Sequence, residues 1–468
     1  MKTPPSRRQF LKQGCAGLSS LPIANTLLNM QLSGSIAQAS TPAAGEYRAI
    51  VCIFLTGGID SFNMLTPQGT TEYNEYFAER GSTISLTKAS LLPITPLNDM
   101  GGKSFGLHPG MPEVQALFQA GHAAFVANVG TLVQPTTLTT YNNGQATLPL
   151  GLFSHSDQEE QWQSSTPDHR SGVGWAGRMA DLIHSINSNN VVSMNVSLDG
   201  ANVWQSGNSI FEYAITQDGA TALNNYTQRW QTESGVTQRR SAAVDGLLAL
   251  QYQNLLQSSY AQAQRSALDA YDQFSQATSP SLPNGATFPT TTLAQQLEMV
   301  ARTVNGRSTL GMTRQTFFLN YAGWDHHDDV IGNMAGMVPV LSQAISAFYN
   351  ALTLINMQNQ VTLFIASDFG RTLTSNGKGT DHAWGGNMLV VGGSVAGQRI
   401  YGQYPSLYNN NPLDVGRGRL IPTTSVDEYY AELALWLGVP KSSLPLVLPN
   451  ISRFYSLTNA SNPVGFLP

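Results

Sequence analysis

The stretch Ala49-Ile50-Val51-Cys52-Ile53-Phe54-Leu55-Thr56-Gly57-Gly58-Ile59-Asp60 decides the fold. Its first seven residues are apolar without alternation. A strand with one face in water alternates with period two, whereas a short continuous apolar run bounded by turn residues reads as a strand buried on both faces, as in a parallel sheet covered by helices. The paired glycines allow a tight turn at the strand's carboxyl end. In an open α/β sheet that edge is where ligands bind. Cys52, inside the run, reads as a buried structural thiol, because a reactive one needs exposure and a positive neighbourhood.

Outward from this strand the pattern repeats. Helical periodicity over 111–119 precedes a strand-like run over 123–129, and the alternation resumes with 174–186, 191–196, 315–320, 334–354, 361–366 and 388–391. A last helix is expected over 426–437, closed by Gly438 and Pro440. This predicts an α/β fold with a mostly parallel central sheet and helices on both faces. Between the strands, 241–274 carries Leu247, Leu248, Leu250, Leu255, Tyr260 and Leu268 in a helical pattern, an expected inserted hairpin or cap. The Ser-, Pro- and Thr-rich segment 275–289 reads as a surface loop.

The amino terminus has a different character. Ser6-Arg7-Arg8-Gln9-Phe10-Leu11-Lys12 precedes a weakly apolar stretch and then Ala37-Gln38-Ala39. Charge, apolar segment and small-residue cleavage site in that order predict a signal peptide over 1–39. The paired arginines resemble the twin-arginine consensus, which implies the twin-arginine translocase as a partner during export and a periplasmic or secreted mature chain. Removing Lys2, Arg7, Arg8 and Lys12 from 24 basic residues leaves 20 against 29 acidic ones, a formal charge of about −9. That balance argues against a nucleic-acid surface. Past the leader, no stretch is expected to be apolar enough to span a bilayer. Only Cys52 survives cleavage, so no disulfide forms within the mature chain.

The chemistry lies after the expected strands. Asp60 closes the first turn, Gly323-Trp324-Asp325-His326-His327-Asp328 follows the strand at 315–320, and Ser367-Asp368-Phe369-Gly370-Arg371-Thr372 follows that at 361–366; Asp381-His382 comes soon after. Carboxylates and imidazoles from separate segments thus converge on one edge of the sheet, offering oxygen and nitrogen ligands to one or two divalent metal ions such as zinc, manganese or calcium. Asp325 and His327, at i and i+2, share a face of an extended segment. Arg371 offers a planar fork for an anionic ester oxygen or for a neighbouring carboxylate.

At these residues the chain resembles the alkaline phosphatase-like superfamily, and within it the exported family catalogued as domain of unknown function 1501. The resemblance implies two metals that clamp the attacking and leaving oxygens of a phosphate or sulfate ester. Carried over, one metal takes Asp325, His327 and His382; the second takes Asp60, Asp368 and a nucleophilic hydroxyl. Phe369 stands where the superfamily often has a histidine, and an apolar ring cannot ligate, which leaves the second site to His155, His326 or water. Leu152-Phe153-Ser154-His155-Ser156-Asp157-Gln158 lies where the superfamily places its hydroxyl, and Ser154 and then Ser156 are the expected nucleophiles. The implied function is an exported metal-dependent hydrolase of a phosphate or sulfate ester. The alternative is a catalytically inactive metal-binding scaffold, which Phe369 favours.

Overall fold

A computed structural model describes residues 46–189, 191–224, 226 and 235–468. The expected leader, with its arginine pair and cleavage site, lies outside the described residues. Twelve strands are described: β1 (Arg48–Leu55), β2 (Leu65–Pro67), β3 (Leu92–Ile94), β4 (Phe105–Leu107), β5 (Ala123–Gly130), β6 (Asn195–Ser197), β7 (Tyr213–Ala214), β8 (Arg314–Asn320), β9 (Val361–Ser367), β10 (Gly386–Val391), β11 (Arg399–Tyr401) and β12 (Thr424–Ser425).

Nine of them form one sheet in the order β11-β5-β10-β9-β1-β8-β6-β7, with β12 also on β5; β2-β4-β3 form a small antiparallel sheet. β1 sits between β9 and β8, parallel to both, with Cys52 opposite Phe364 and Phe318. From Ala49 to Leu55 it is entirely buried, as its unbroken apolar run requires. β10 alone runs against the rest, antiparallel to β9 and to β5. The sheet is thus mostly parallel, as expected, with this one exception. The segment between β9 and β10, residues 368–385, forms no helix that could carry a crossover and instead folds as loops over the sheet's edge, so the chain returns antiparallel. That reversal starts β10 at the edge where β1, β8 and β9 end, which brings residues 380–385 beside the loops after those strands.

Helices flank the sheet. Thr292–Asn305 packs on Val330–Leu354, which also meets Pro112–Gln119; Val426–Leu437 lies against β1 and β5, and Trp175–Ile183 against β6. The expected last helix is present with a Ser425–Glu428 capping box and Gly438 in the left-handed conformation at its end. The insertion at 241–274 is a helical pair, Val236–Leu248 and Leu255–Thr278. The helix therefore extends into the segment read as a loop. The expectation about membrane spans fails on composition: Val330–Leu354 is long and apolar enough to cross a bilayer. It instead packs in the helical layer, with Val338, Leu341, Ile345 and Leu352 buried.

Candidate metal centre

The carboxyl edge of β1 is shaped by two glycines. Gly57 has φ +119, and a Cβ there would lie 2.5 Å from the Asp325 backbone nitrogen; Gly58 has φ +80, and its Cβ would meet the Phe369 ring at 2.4 Å. Only glycine lets the first turn come this close to the loops after β8 and β9. Gly57 N–H in turn donates to both oxygens of Asp368, at 3.1 and 3.2 Å.

Three imidazoles meet in front of this turn. His382 Nε2 lies 3.0 Å from His155 Nε2 and 2.8 Å from His327 Nε2. Asp325 Oδ1 lies 3.4 Å from His155 Nε2, 3.1 Å from His327 Nε2 and 3.5 Å from His382 Nε2. A tetrahedral cation bound by nitrogen and oxygen at about 2.0–2.1 Å spaces its ligands by about 3.3 Å, the range seen here. Four donors of the right type therefore crowd around one point. His155, Asp325 and His382 also have donor atoms that all lie within 4.8 Å of one another.

The far nitrogens of the same rings are all engaged. His155 Nδ1 is 2.7 Å from Asp368 Oδ2, His327 Nδ1 is 3.1 Å from Asp381 Oδ1, and His382 Nδ1 is 2.8 Å from the Phe153 carbonyl. Each of these acceptors holds a proton at Nδ1 and so turns the Nε2 lone pair inward, the arrangement by which outer partners orient metal-binding histidines. Three inward lone pairs at such distances repel one another unless a cation or a proton sits among them. The residues fit a divalent metal ion.

Electrostatics follow the same geometry. The hydrogen bond to Asp368 raises the His155 pKa against its burial, while burial, with His155 close by, lowers that of His382. Burial alone would raise the Asp325 carboxyl, but the Arg371 guanidinium holds it below the usual range. Phe369 is fully buried, with its ring centroid 4.7 Å from those of both His155 and His382. This apolar ring thus wedges two imidazoles in place.

The structure brings Asp325, His327 and His382 together, and it adds His155, which sequence reasoning held only in reserve. It does not bring Asp60 to them: that carboxylate is fully buried in an ion pair with Arg80. Asp368 is fully buried too, and its oxygens are taken by His155 and Gly57, so it stands behind the imidazole. His326 is buried against Trp324, with ring centroids 5.8 Å apart.

Arg371 is likewise consumed inside the protein. Its Nε donates to the Gly58 carbonyl at 2.7 Å, Nη1 to that of Thr380 at 3.2 Å, and Nη2 to Gly57, Trp324 and Asp325. Fully buried, it clamps three loops together and has no free edge for an ester. Ser154 stands at the N-cap position of the helix His155–Ser164 without a side-chain capping hydrogen bond, and its hydroxyl and that of Ser156 lie 3.3 Å apart. Among the described residues no hydrogen bond joins either hydroxyl to the imidazoles. Glu159, one turn along the same helix, was missed. Burial and the Asp368 charge raise its pKa, and Gln163 donates to it at 3.3 Å. The spacing from His155 to Glu159, i to i+4, was the signal that places both on one helix face.

Fold and site together define an α/β protein with an imidazole–carboxylate centre at the carboxyl edge of its sheet. The chain belongs to the family described as "Protein of unknown function (DUF1501)", whose model matches residues 47–417. No curated protein matches it. Among solved structures it is similar to the lipoteichoic acid synthase LtaP from Listeria monocytogenes at 7% identity and a TM-score of 0.35, covering 92% of this chain and 82% of that one. It is similar to the PsFucS1 sulfatase from Pseudoalteromonas sp. at 8% identity and a TM-score of 0.30, covering 90% and 72%. For Ps i-CgsB in complex with k-i-k-neocarrahexaose the figures are 12%, 0.33, 84% and 72%. At these identities and scores the likenesses assign no activity.

Proposed function

We propose that the chain is an exported metal-dependent hydrolase of phosphate or sulfate esters, with one divalent cation held by His155, Asp325, His327 and His382. The observation that carries this reading is the inward convergence of three Nε2 atoms whose Nδ1 partners are all satisfied. When bound, the cation supplies Lewis-acid polarisation of an ester oxygen. Asp368, Asp381 and the Phe153 carbonyl keep the protons on the far side of the rings. Arg371 keeps Asp325 ionised and fixed. Asp60, paired with Arg80, and Asp368, spent on His155 and Gly57, stabilise the edge that carries the centre.

In this reading Ser154 or Ser156 supplies the attacking hydroxyl. Glu159, which holds its proton to higher pH than an ordinary carboxyl, supplies the proton for the leaving oxygen. Export rests on Arg7 and Arg8. Replacing both by Lys should leave the chain in the cytoplasm, and unchanged export would remove that part of the reading.

The test is elemental analysis of protein purified without chelator, together with hydrolysis of aryl phosphate and aryl sulfate esters before and after chelation. One equivalent of transition metal, lost in His382→Ala and Asp325→Ala, with ester hydrolysis that chelator abolishes, is the expected result. A second reading, a cation-binding scaffold without turnover, is favoured by the Ser154 and Ser156 hydroxyls, which hydrogen-bond each other and not the imidazoles. It predicts that chelator lowers thermal stability while no ester is turned over.

A further inference from the structure

An anionic ester needs positive donors besides a metal, and Arg371, the arginine nearest the ligands, has none to spare. Other cations around the site are spoken for: Arg170 pairs with Asp157 at 2.5 Å, Lys378 with Asp328 at 3.6 Å, and Arg453 donates to the Val133 carbonyl at 2.8 Å. Arg419 is different. Among the described residues its guanidinium has no hydrogen-bond or ion-pair partner, and its buried Nε is unsatisfied. The guanidinium carbon lies 4.8 Å from the centre of the Phe153 ring. A guanidinium laid on an aromatic face keeps its N–H edges free for an in-plane acceptor.

The turn that carries Arg419 is built at a cost. Gly416, Arg417 and Gly418 have φ of 112, 63 and 69, three consecutive residues in the left-handed region. Glycine adopts this freely; arginine at the middle position is under backbone strain, which persists only where the surroundings impose it. Asp414 imposes it, with Oδ1 accepting from the Gly416 and Gly418 N–H groups at 2.8 Å each.

Both arginines are tied to the groups that orient the imidazoles. Arg417 donates at 2.6 Å to Asp381 Oδ2, whose other oxygen meets His327 Nδ1. Phe153, under Arg419, has φ 74 and offers its carbonyl to His382 Nδ1. Asp381 offsets Arg417, so the uncompensated positive charge on the His327–His382 side is that of Arg419, while Glu159 lies on the side of His155 and Asp368.

We propose that the Gly416–Arg419 turn is an oxyanion subsite, in which Arg419, flanked by Arg417, binds the tetrahedral phosphate or sulfate group of the substrate beside the imidazole centre. The proposal rests on the hydrolase reading for the word substrate, but the subsite itself can be tested without turnover. Metal-loaded and chelator-stripped protein would be titrated calorimetrically with inorganic phosphate and, separately, sulfate, in wild type, Arg419→Ala and Arg419→Lys. Cation content would be measured on the same samples.

Wild type should bind one oxyanion. Arg419→Ala should weaken it by about tenfold or more, the scale of a lost hydrogen bond to a charged group. Arg419→Lys, which keeps the charge without the planar fork, should fall between, with cation content and melting temperature unchanged in both variants. Preference for phosphate over sulfate, or the reverse, then gives the class of ester. Equal affinity in wild type and Arg419→Ala overturns the proposal, as does failure of metal-loaded wild type to bind either anion. Oxyanion binding that depends on Arg419 in a protein that retains no cation would keep the subsite and refute the hydrolase reading.

Discussion

Asp368→Asn probes the centre without touching a proposed ligand. The carboxylate is fully buried and serves two donors at once, His155 Nδ1 at 2.7 Å and Gly57 N–H at 3.1 and 3.2 Å. An amide of the same shape has one acceptor oxygen. Turned toward His155, it sets its NH2 against the Gly57 N–H, donor against donor. Turned the other way, it donates to Nδ1 and pushes the imidazole proton onto Nε2, the atom that must face the cation. Either arrangement weakens the centre, and losing an orienting partner of this type costs about 10–100-fold in metal affinity. That corresponds to about 1.4–2.7 kcal/mol. Zinc and manganese affinities would be read by competition with a chromogenic chelator, with circular dichroism as a check on folding. A folded Asp368→Asn protein whose affinities stay within about twofold of wild type would refute the role of Asp368 behind His155. If Asp325→Ala also kept its cation, the four-residue set itself would be refuted.

Three further outcomes follow from other parts of the structure. Arg80→Ala leaves Asp60 buried without its partner and should cost about 3–5 kcal/mol in urea unfolding while cation content stays at the wild-type level; a lost equivalent would return Asp60 to the centre. Gly57→Ala places a Cβ 2.5 Å from the Asp325 backbone and demands φ +119 of alanine, so both melting temperature and cation content should fall; wild-type values for both would show that the turn tolerates a side chain. Burial raises the Asp427 carboxyl from 3.8 to about 7. Between those values the folded chain binds the proton that the unfolded chain has released, so stability falls as pH rises across that window, by on the order of 4 kcal/mol. Asp427→Asn should flatten this slope in urea melts, and an unchanged pH profile would show that Asp427 does not titrate there.

Much of the architecture was legible because local pattern and global burial agree. The run from Ala49 to Leu55 carries no polar face and can only be an inner strand, and the cap residues Ser425 and Gly438 bracket the last helix as expected. The reversal at β10 was not legible. Its apolar run reads the same in either direction, and only pairing with both β5 and β9 shows which way it goes. The small sheet β2-β4-β3 was missed because three-residue strands are too short for a period to show.

For the site, residue types and their places after strands put Asp60, Asp325, His327, Asp368 and His382 on one edge, because strand ends in an α/β sheet share it, and the family resemblance singled out Asp325, His327 and His382 as one ligand set. The sequence also placed a tight glycine turn at positions 57 and 58, while the need for glycine there comes from the Asp325 backbone and the Phe369 ring that press on it in the fold. Which donors face inward was decided only by the tertiary structure. Asp60 and Asp325 are both carboxylates after strands, yet Arg80 reaches one from 20 positions away and Arg371 the other from 46. Likewise His155, in an unremarkable Ser-His-Ser context, becomes part of the centre because Asp368, 213 residues distant, holds its far nitrogen. Ligand identity depends on which lone pairs remain after long-range hydrogen bonds are made, and spacing along the chain carries no record of those partners.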